Sequence, residues 1–167
     1  MEKLEARGPP RAREGHGHLP AARGFDVSGL FRVGKAKSVN KLQINPWAWQ
    51  DLAGFSQAWR VEEARRVTFV SGQAPISADG QLVGEGSFET QVRQVFENLR
   101  TVLEQADMDL EAIVKLTVYL TDMNRLRDYT KIKAEFITGK QPASTAIGVT
   151  ALARPEMMVE VEAIAVQ

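Results

Sequence analysis

The most regular hydrophobic pattern of the chain lies between residues 88 and 106. Apolar residues recur there at the three- and four-residue spacing of one helix face: Phe88, Val92, Val95, Phe96, Leu99, Val102, Leu103 and Ala106. Ser87, directly before them, has the side chain of an N-cap. The pattern predicts an amphipathic helix. The same spacing predicts a second helix with four apolar residues on one side, Leu126, Tyr129, Ile132 and Phe136.

Other segments alternate apolar and polar residues with the two-residue period of a β-strand. In "IVKLTVYLT", residues 113–121, one face is apolar and the other is polar. The segment "MVEVEAIAV", residues 158–166, has one apolar face, while its other face turns from charged to apolar after Glu162. Further strands are predicted over residues 55–61, 67–76 and 144–152. The element order predicts an α+β fold, a mixed sheet with two helices on one face.

Charge divides the chain into two regions. Residues 1–45 hold nine Lys or Arg side chains and four acidic ones, a net charge of +5, whereas the whole chain is neutral. The remaining residues therefore carry −5, which argues against a nucleic-acid partner. Residues 1–40 are rich in Gly, Pro and Arg and show no sustained period, so we predict a disordered basic tail. One domain is expected over residues 41–167.

Several kinds of chemistry are excluded by composition. The chain has no cysteine, and its two histidines, His16 and His18, both lie in the predicted tail. Disulfides, thiol catalysis, a Ser-His-Asp triad and a His- or Cys-ligated metal are therefore not expected in the domain. We expect no cofactor and no metal. The sequence has no apolar run of about 18 residues and no secretory signal, so we expect a cytoplasmic protein without a membrane partner.

Five short motifs follow one another between residues 54 and 166: "GFSQA", "FVSGQAP", "IVKLTVYLTDMN", "QPAST" and "VEVEAIAV". In this order they resemble the RidA family, also called YjgF or L-PSP. The resemblance implies a chorismate-mutase-like α+β fold that forms a homotrimer, with small-molecule pockets in the clefts between subunits. It also implies a catalytic role for Glu162, which corresponds to the family glutamate that helps to hold the water attacking a bound imine.

Two motifs depart from the family pattern. The family's deaminases have P-A-R-S, whose arginine anchors the substrate carboxylate through a planar, bidentate fork, whereas this chain has Ser144 in that position. Phe55 stands where the family has a tyrosine. Trp47 and Trp49 precede it and are candidates for the cleft wall, although core or trimer-interface positions are the alternative. The changes indicate a more neutral and more apolar pocket.

The resemblance also implies which residues line the pocket. The ligand-binding candidates are Phe55, Gly72, Asn124, Ser144 and Ala146. Three of the site candidates have a simpler explanation as well. Gly72 suits a tight strand bend, Asn124 suits the start of a helix after Asp122, and Glu162 suits a strand end in contact with water.

Three functions remain open from the sequence. In the first, a homotrimer binds, or also hydrolyses, a small metabolite in its clefts without being a standard imine deaminase, because Ser144 replaces the arginine. In the second, it is a 2-iminobutanoate/2-iminopropanoate deaminase with a relocated anchor such as Arg154. The third is an L-PSP-type endoribonuclease, against which the acidic, histidine-free domain argues. An enzyme of this kind would be a hydrolase or deaminase that acts on an imine without a metal.

Overall fold

A computed structural model of the chain describes residues 39–167. Its elements are β1 (Asn40–Ile44), α1 (Trp49–Ala53), β2 (Ala58–Glu62), β3 (Val67–Gln73), α2 (Phe88–Gln105), β4 (Ile113–Leu120), α3 (Leu126–Phe136), β5 (Ala143–Gly148) and β6 (Val159–Val166). Residues 1–38 of the predicted tail, including both histidines, lie outside the described residues. None of the helices just named is long and apolar enough to cross a membrane.

Four strands form the main sheet, in the order β3-β6-β4-β5. β6 is antiparallel to both of its neighbours, whereas β4 and β5 are parallel. A parallel pair requires a crossover connection, and α3 lies in the segment that connects β4 to β5. The mixed sheet expected from the sequence is therefore confirmed.

The apolar faces of β4 and β6 pack against α2 and α3. Leu116, Val118 and Leu120 of β4 are fully buried, as are the alternate residues of β6 that begin with Val159. They belong to one hydrophobic core with the apolar side of α2 and with Tyr129 and other residues of α3. The helix-facing side of the sheet was correctly predicted from the two-residue and three-to-four-residue periods.

The first turn of α2 has the predicted cap. Ser87 has an extended backbone, and its side chain accepts a hydrogen bond from the Thr90 N–H. One turn further on, Gln91 is a fully buried polar residue. Its Nε2 donates to the carbonyls of Gly84 (3.2 Å) and Glu156 (2.8 Å), and its Oε1 accepts from the Met158 N–H (2.8 Å). Gln91 therefore fastens the helix to the loop that leads into β6.

The N-terminal part of the domain differs from the prediction. β1 and the short α1 were not predicted, and β2 pairs with β1 in a separate two-stranded sheet. The predicted strand over residues 55–61 begins at Ala58 instead, because α1 ends at Gly54, whose positive φ of 69° turns the chain. Residues 40–44 read NKLQI and show too little apolar alternation to indicate a strand by themselves.

Candidate functional site

One side of the main sheet faces away from α2 and α3, and we call it the helix-free face. Its central side chains come from alternate positions of β4 and β6: Lys115, Thr117, Tyr119, Glu160, Glu162 and Ile164. Glu162 lies opposite Thr117, and Thr117 lies opposite Thr145 on β5. Side chains in register on neighbouring strands point to the same side. The half-buried Glu162 therefore stands in a row with two hydroxyl groups.

Lys115 lies next to this row. Its Nζ donates to Thr145 Oγ1 (2.6 Å) and to the Leu116 carbonyl (3.1 Å). Burial lowers the pKa of Lys115, and attraction by the Glu162 carboxylate opposes part of that change. The ammonium and the carboxylate are therefore close enough to affect each other, although they form no direct ion pair within 4.0 Å.

A depression of about 410 Å³ opens at this position on the helix-free face. Lys115, Thr117 and Glu162 give it a polar side, while Phe69 and Ile164 give it an apolar side. Pockets for small molecules commonly combine an apolar wall with a few convergent polar groups. This arrangement suits a small ligand with one charged end.

The phenol of Tyr119 stands on the same face, one row further along β4. Burial raises the pKa of Tyr119, and so do the negative charges of Glu162 and Glu160. The Tyr119 hydroxyl therefore keeps its proton near neutral pH and is available as a hydrogen-bond donor beside Glu162.

Gly72 lies in an irregular part of β3, where the pairing with β6 shifts between Val70 and Gln73. A Cβ at Gly72 would stand 1.9 Å from Glu160 Oε1 and 3.1 Å from Glu160 Cγ. The glycine therefore leaves space for the Glu160 side chain. Its predicted place beside a ligand stays a prediction, and the strand irregularity agrees with the simpler explanation.

Ser144 and Ala146 lie on the opposite side of the sheet from Glu162. Ser144 is in register with the buried Leu116, and Ala146 packs against the hydrophobic core. Thr145, between them, is the residue of β5 that shares a face with Glu162. Within one chain, Ser144 and Glu162 therefore do not face each other, and a shared site would need Ser144 from another copy.

The aromatic residues Trp47, Trp49 and Phe55 form a continuous cluster around α1. The rings of Trp47 and Trp49 stack with centroids 6.4 Å apart, and Phe55 meets Trp49 edge-on at 5.7 Å. Both tryptophans are 58% exposed. Their exposure agrees better with a wall or an interface than with a core position. We call these three residues the aromatic wall.

Two buried polar side chains hold the aromatic wall beside β5. The Ser56 hydroxyl donates to the Gln141 carbonyl and accepts from Gln43 Nε2 (2.5 Å), and the Ser56 N–H donates to the Pro142 carbonyl (3.0 Å). On the other side, Lys133 of α3 donates to the Gly54 carbonyl. Phe55 lies between these two anchors, so its position is fixed relative to the start of β5.

The two remaining candidates, Asn124 and Arg154, do not line the depression that contains Glu162. Asn124 is exposed in the turn after β4, and both its N–H and its side-chain amide donate to Asp122 Oδ1 at 2.9 Å. Asp122, rather than Asn124, is therefore the capping residue there. Arg154, the candidate relocated anchor, donates to the Gly80 carbonyl (3.2 Å) and does not line the depression.

Sequence reasoning overlooked Lys115, Thr117 and Thr145. The alternation of residues 113–121 showed that Lys115 and Thr117 share a polar face. It did not show that β5 runs parallel to β4 with Thr145 in register with Thr117. No group of three or more His, Cys, Asp or Glu side chains placed to hold a metal occurs in residues 39–167.

Comparison with known proteins shows which family this chain resembles. Residues 48–167 match the family model described as Endoribonuclease L-PSP. A mouse protein named 2-iminobutanoate/2-iminopropanoate deaminase is 40% identical over 114 residues, 68% of this chain and 81% of its own. A RutC family protein from Pyrococcus horikoshii is 36% identical over 111 residues, 66% of this chain and 85% of its own. A Rid family structure from Yersinia pestis superposes with a TM-score of 0.70 at 34% identity, covering 77% of this chain and 99% of that one.

Proposed function

Because the chain belongs to the Endoribonuclease L-PSP family, also called Rid or YjgF, we propose that it works as a homotrimer whose intersubunit clefts bind a small metabolite at Glu162. The observation that carries this proposal is the half-buried Glu162 carboxylate in the depression on the helix-free face, beside two hydroxyls and an ammonium. The relative from mouse is named for imine deamination, and that name supports a small C=N compound as the ligand class.

Exposed apolar side chains support the assembly. Phe69 is 77% exposed, Val67 is 49% exposed and Ile147 is 38% exposed, and the strand register puts all three on the helix-free face. Large apolar side chains on one sheet face are typical of a surface that another chain covers. Two further copies of this chain, arranged around a threefold axis, would cover this face and enclose the depression.

Replacing Phe69 with aspartate should therefore convert the trimer into monomers, because a charge would be desolvated in the intersubunit contact. Size-exclusion chromatography with light scattering on the full chain measures the mass. Val102→Asp is the matched control, since Val102 is a partly exposed residue of α2, 37% exposed, on the other side of the domain. A monomeric wild type, or a trimer that survives Phe69→Asp, would contradict the proposed assembly.

The position of Glu162 in the depression supports the proposed chemistry. A carboxylate accepts a hydrogen bond from water and can take its proton as the water attacks an electrophilic carbon. Thr117 and Thr145 can orient the same water or the ligand, because a hydroxyl both donates and accepts. Tyr119 adds a donor that remains protonated. These residues can position a water without a metal.

The two departures from the family motifs make a standard imine deaminase the less favoured assignment. Ser144 carries no guanidinium and Phe55 carries no hydroxyl. A carboxylate held by a bidentate, charge-assisted contact is fixed in orientation as well as in position. Without that fork we expect the ligand to be bound with its C=N group poorly aligned to the water, so that hydrolysis is slow.

The full chain should therefore hydrolyse 2-iminobutanoate at least roughly 30-fold more slowly than the mouse relative, because a lost charge-assisted contact costs about 2 kcal/mol or more. The rate is measured by coupling to a pyridoxal-dependent threonine dehydratase and trapping the imine with semicarbazide. Ser144→Arg should raise it, and the guanidinium would have to reach the ligand from a neighbouring subunit.

The matched control uses a second glutamate near β6. Ser144→Arg combined with Glu162→Gln should lose the gain, whereas Ser144→Arg with Glu156→Gln should keep it, because Glu156 is exposed in the loop before β6 and does not line the depression. Hydrolysis by the wild type at the rate of the mouse relative would contradict the lost-anchor part of the proposal. Equal rates for the two double variants would contradict the role of Glu162.

We do not propose the nuclease activity named in the family description, because residues 39–167 are acidic overall and contain no histidine, whereas binding to a phosphate backbone requires basic surface. A cytoplasmic location stays a prediction. A yeast relative that is 33% identical over 115 residues is named mitochondrial, so fractionation of cells is the measurement that checks it.

A further inference from the structure

Residues 46–55, which carry the aromatic wall, bury very little apolar surface. Every residue from 46 to 53 is exposed except Gln50, and Leu52 is 96% exposed. The segment therefore buries a polar side chain and leaves its large apolar side chains at the surface. Burial of apolar area is the main force that holds a segment against its domain. That force is weak for residues 46–55.

Hydrogen bonds attach the segment at a single point. One hydrogen bond joins residues 46–55 to the rest of residues 39–167, and it runs from the Lys133 amine to the Gly54 carbonyl. The buried amide of Gln50 donates only to groups of the segment itself, and its Oε1 has no partner in the described part of the chain. A buried polar atom without a partner lowers stability further.

The two ends of the segment are fixed where they meet. The Gln57 N–H donates to Asn45 Oδ1 at 2.9 Å, and Ser56 is bonded to the residues that lead into β5. Between these ends, the aromatic rings of the segment pack on one another. A compact loop of this kind, closed at its base and packed by its own side chains, can move as one body.

Lys133 is buried beneath the segment without a balancing charge. Its side chain is 2% exposed, and no carboxylate of residues 39–167 lies within 4.0 Å of its amine. Asp51, the one ionisable side chain of the segment, is exposed. On α3 itself, burial raises the pKa of Tyr129, which stays neutral. Burial is also the one cause that lowers the pKa of Lys133, to about 8.

We propose that residues 46–55 form a flap that opens as one unit about its base, and that protonation of the buried Lys133 amine favours the open flap. A neutral amine keeps an N–H for the Gly54 carbonyl without a buried charge, whereas an ammonium gains hydration when the flap lifts. Opening would carry the aromatic wall away from the start of β5. The inference goes beyond the proposed function and does not rest on it, since the flap and the lysine belong to one chain.

The size of the effect follows from the two pKa values of Lys133. The value with the flap closed is about 8, and the open flap returns Lys133 to the ordinary 10.5. Between these values the open state binds more protons, so the fraction of open flap falls as the pH rises. Between pH 7 and about pH 9.5 the equilibrium constant for opening should fall roughly 30-fold.

Single thiols measure the opening, because the chain has no cysteine. Gln50→Cys puts a thiol on the buried side of the flap, and Leu52→Cys puts one on its exposed side. The ratio of their rates of reaction with 4,4′-dithiodipyridine, measured on the full chain, gives the fraction of open flap. This ratio should fall roughly 30-fold from pH 7 to about pH 9.5, and it should not change with pH when Lys133→Met is added.

Two further variants separate flap opening from other motions. Ala165→Cys places a thiol in the fully buried core of β6, where it reacts only when the domain unfolds, so Gln50→Cys should react much faster than Ala165→Cys. Phe69→Asp, added to Gln50→Cys, tests whether neighbouring copies hold the flap shut. The fall of the rate ratio with pH should persist in that variant.

The inference is wrong if Gln50→Cys reacts no faster than Ala165→Cys, if it reacts as fast as Leu52→Cys at pH 7, or if the rate ratio is the same at both pH values. It is also wrong if the fall persists with Lys133→Met, since another group would then control the opening. Opening detected only with Phe69→Asp would show an interface element instead. None of these results depends on ligand binding, so they leave the proposed function to its own tests.

Discussion

Replacing Gln91 with alanine should lower the free energy of unfolding by about 3 kcal/mol. The side chain is fully buried, and its amide joins α2 to the Gly84 and Glu156 carbonyls and to the Met158 N–H. Alanine removes all three hydrogen bonds, and a buried polar group left without a partner costs about 1 to 3 kcal/mol. Urea unfolding at pH 7, followed by far-UV circular dichroism, measures the difference.

Two variants separate the hydrogen bonds from other effects. Gln105→Ala, in the exposed last turn of the same helix, should change the free energy of unfolding by no more than about 0.5 kcal/mol. Gln91→Met fills most of the volume without making the three bonds, and it should keep most of the loss. If Gln91→Met is as stable as the wild type, the stabilising effect of Gln91 comes from packing and our explanation is wrong.

Between pH 7 and about pH 9.5 the wild-type protein should gain about 2 kcal/mol of stability relative to Lys133→Met. Lys133 is only 2% exposed, and its ammonium donates to the Gly54 carbonyl. Burial lowers the pKa of Lys133 from the ordinary 10.5 to about 8. The folded protein therefore loses this proton near pH 8, whereas the unfolded chain keeps it to higher pH.

The sign of this change with pH follows from the number of protons that each state binds. Between the folded pKa of about 8 and the ordinary value of 10.5 the unfolded state binds more protons, so the free energy of unfolding rises with pH in that window. Below pH 8 the cost of burying the charge is fully present. Parallel urea titrations of the two proteins at matched concentration cancel the contributions of other groups. If the free energies of unfolding of the two proteins change equally with pH between pH 7 and about pH 9.5, Lys133 has an ordinary pKa and the prediction is wrong.

The strongest sequence patterns predicted their helix and strands correctly, because the spacing of apolar residues depends only on the local geometry of one segment. The three-to-four-residue spacing from Phe88 onward predicted α2 to within one residue, and Ser87 was correctly read as its N-cap. The alternation of residues 158–166 predicted β6 and its buried face. A period is a property of a single segment, and one segment is enough to define which of its faces is apolar.

The parts that failed depend on contacts between distant segments. Nothing in NKLQI shows that residues 40–44 pair with residues 58–62. The parallel register of β5 with β4 decides that Thr145, and not Ser144, shares a face with Glu162, and a motif comparison cannot show that. Burial of Lys133 is also invisible in the sequence, since the spacing of α3 indicates an apolar side but not a lysine enclosed beside Gly54.

The separate sheet of β1 and β2 has a consequence for how the family can diversify. It is attached near β5 through the Ser56 backbone and side chain and through Trp59 Nε1, which donates to the Gln141 carbonyl at 3.0 Å. A unit attached in this way is less coupled to the main sheet than the strands of that sheet are to one another. Substitutions in residues 40–62 can reshape the aromatic wall while the core is preserved, so the surface around α1 can change without a change of the fold.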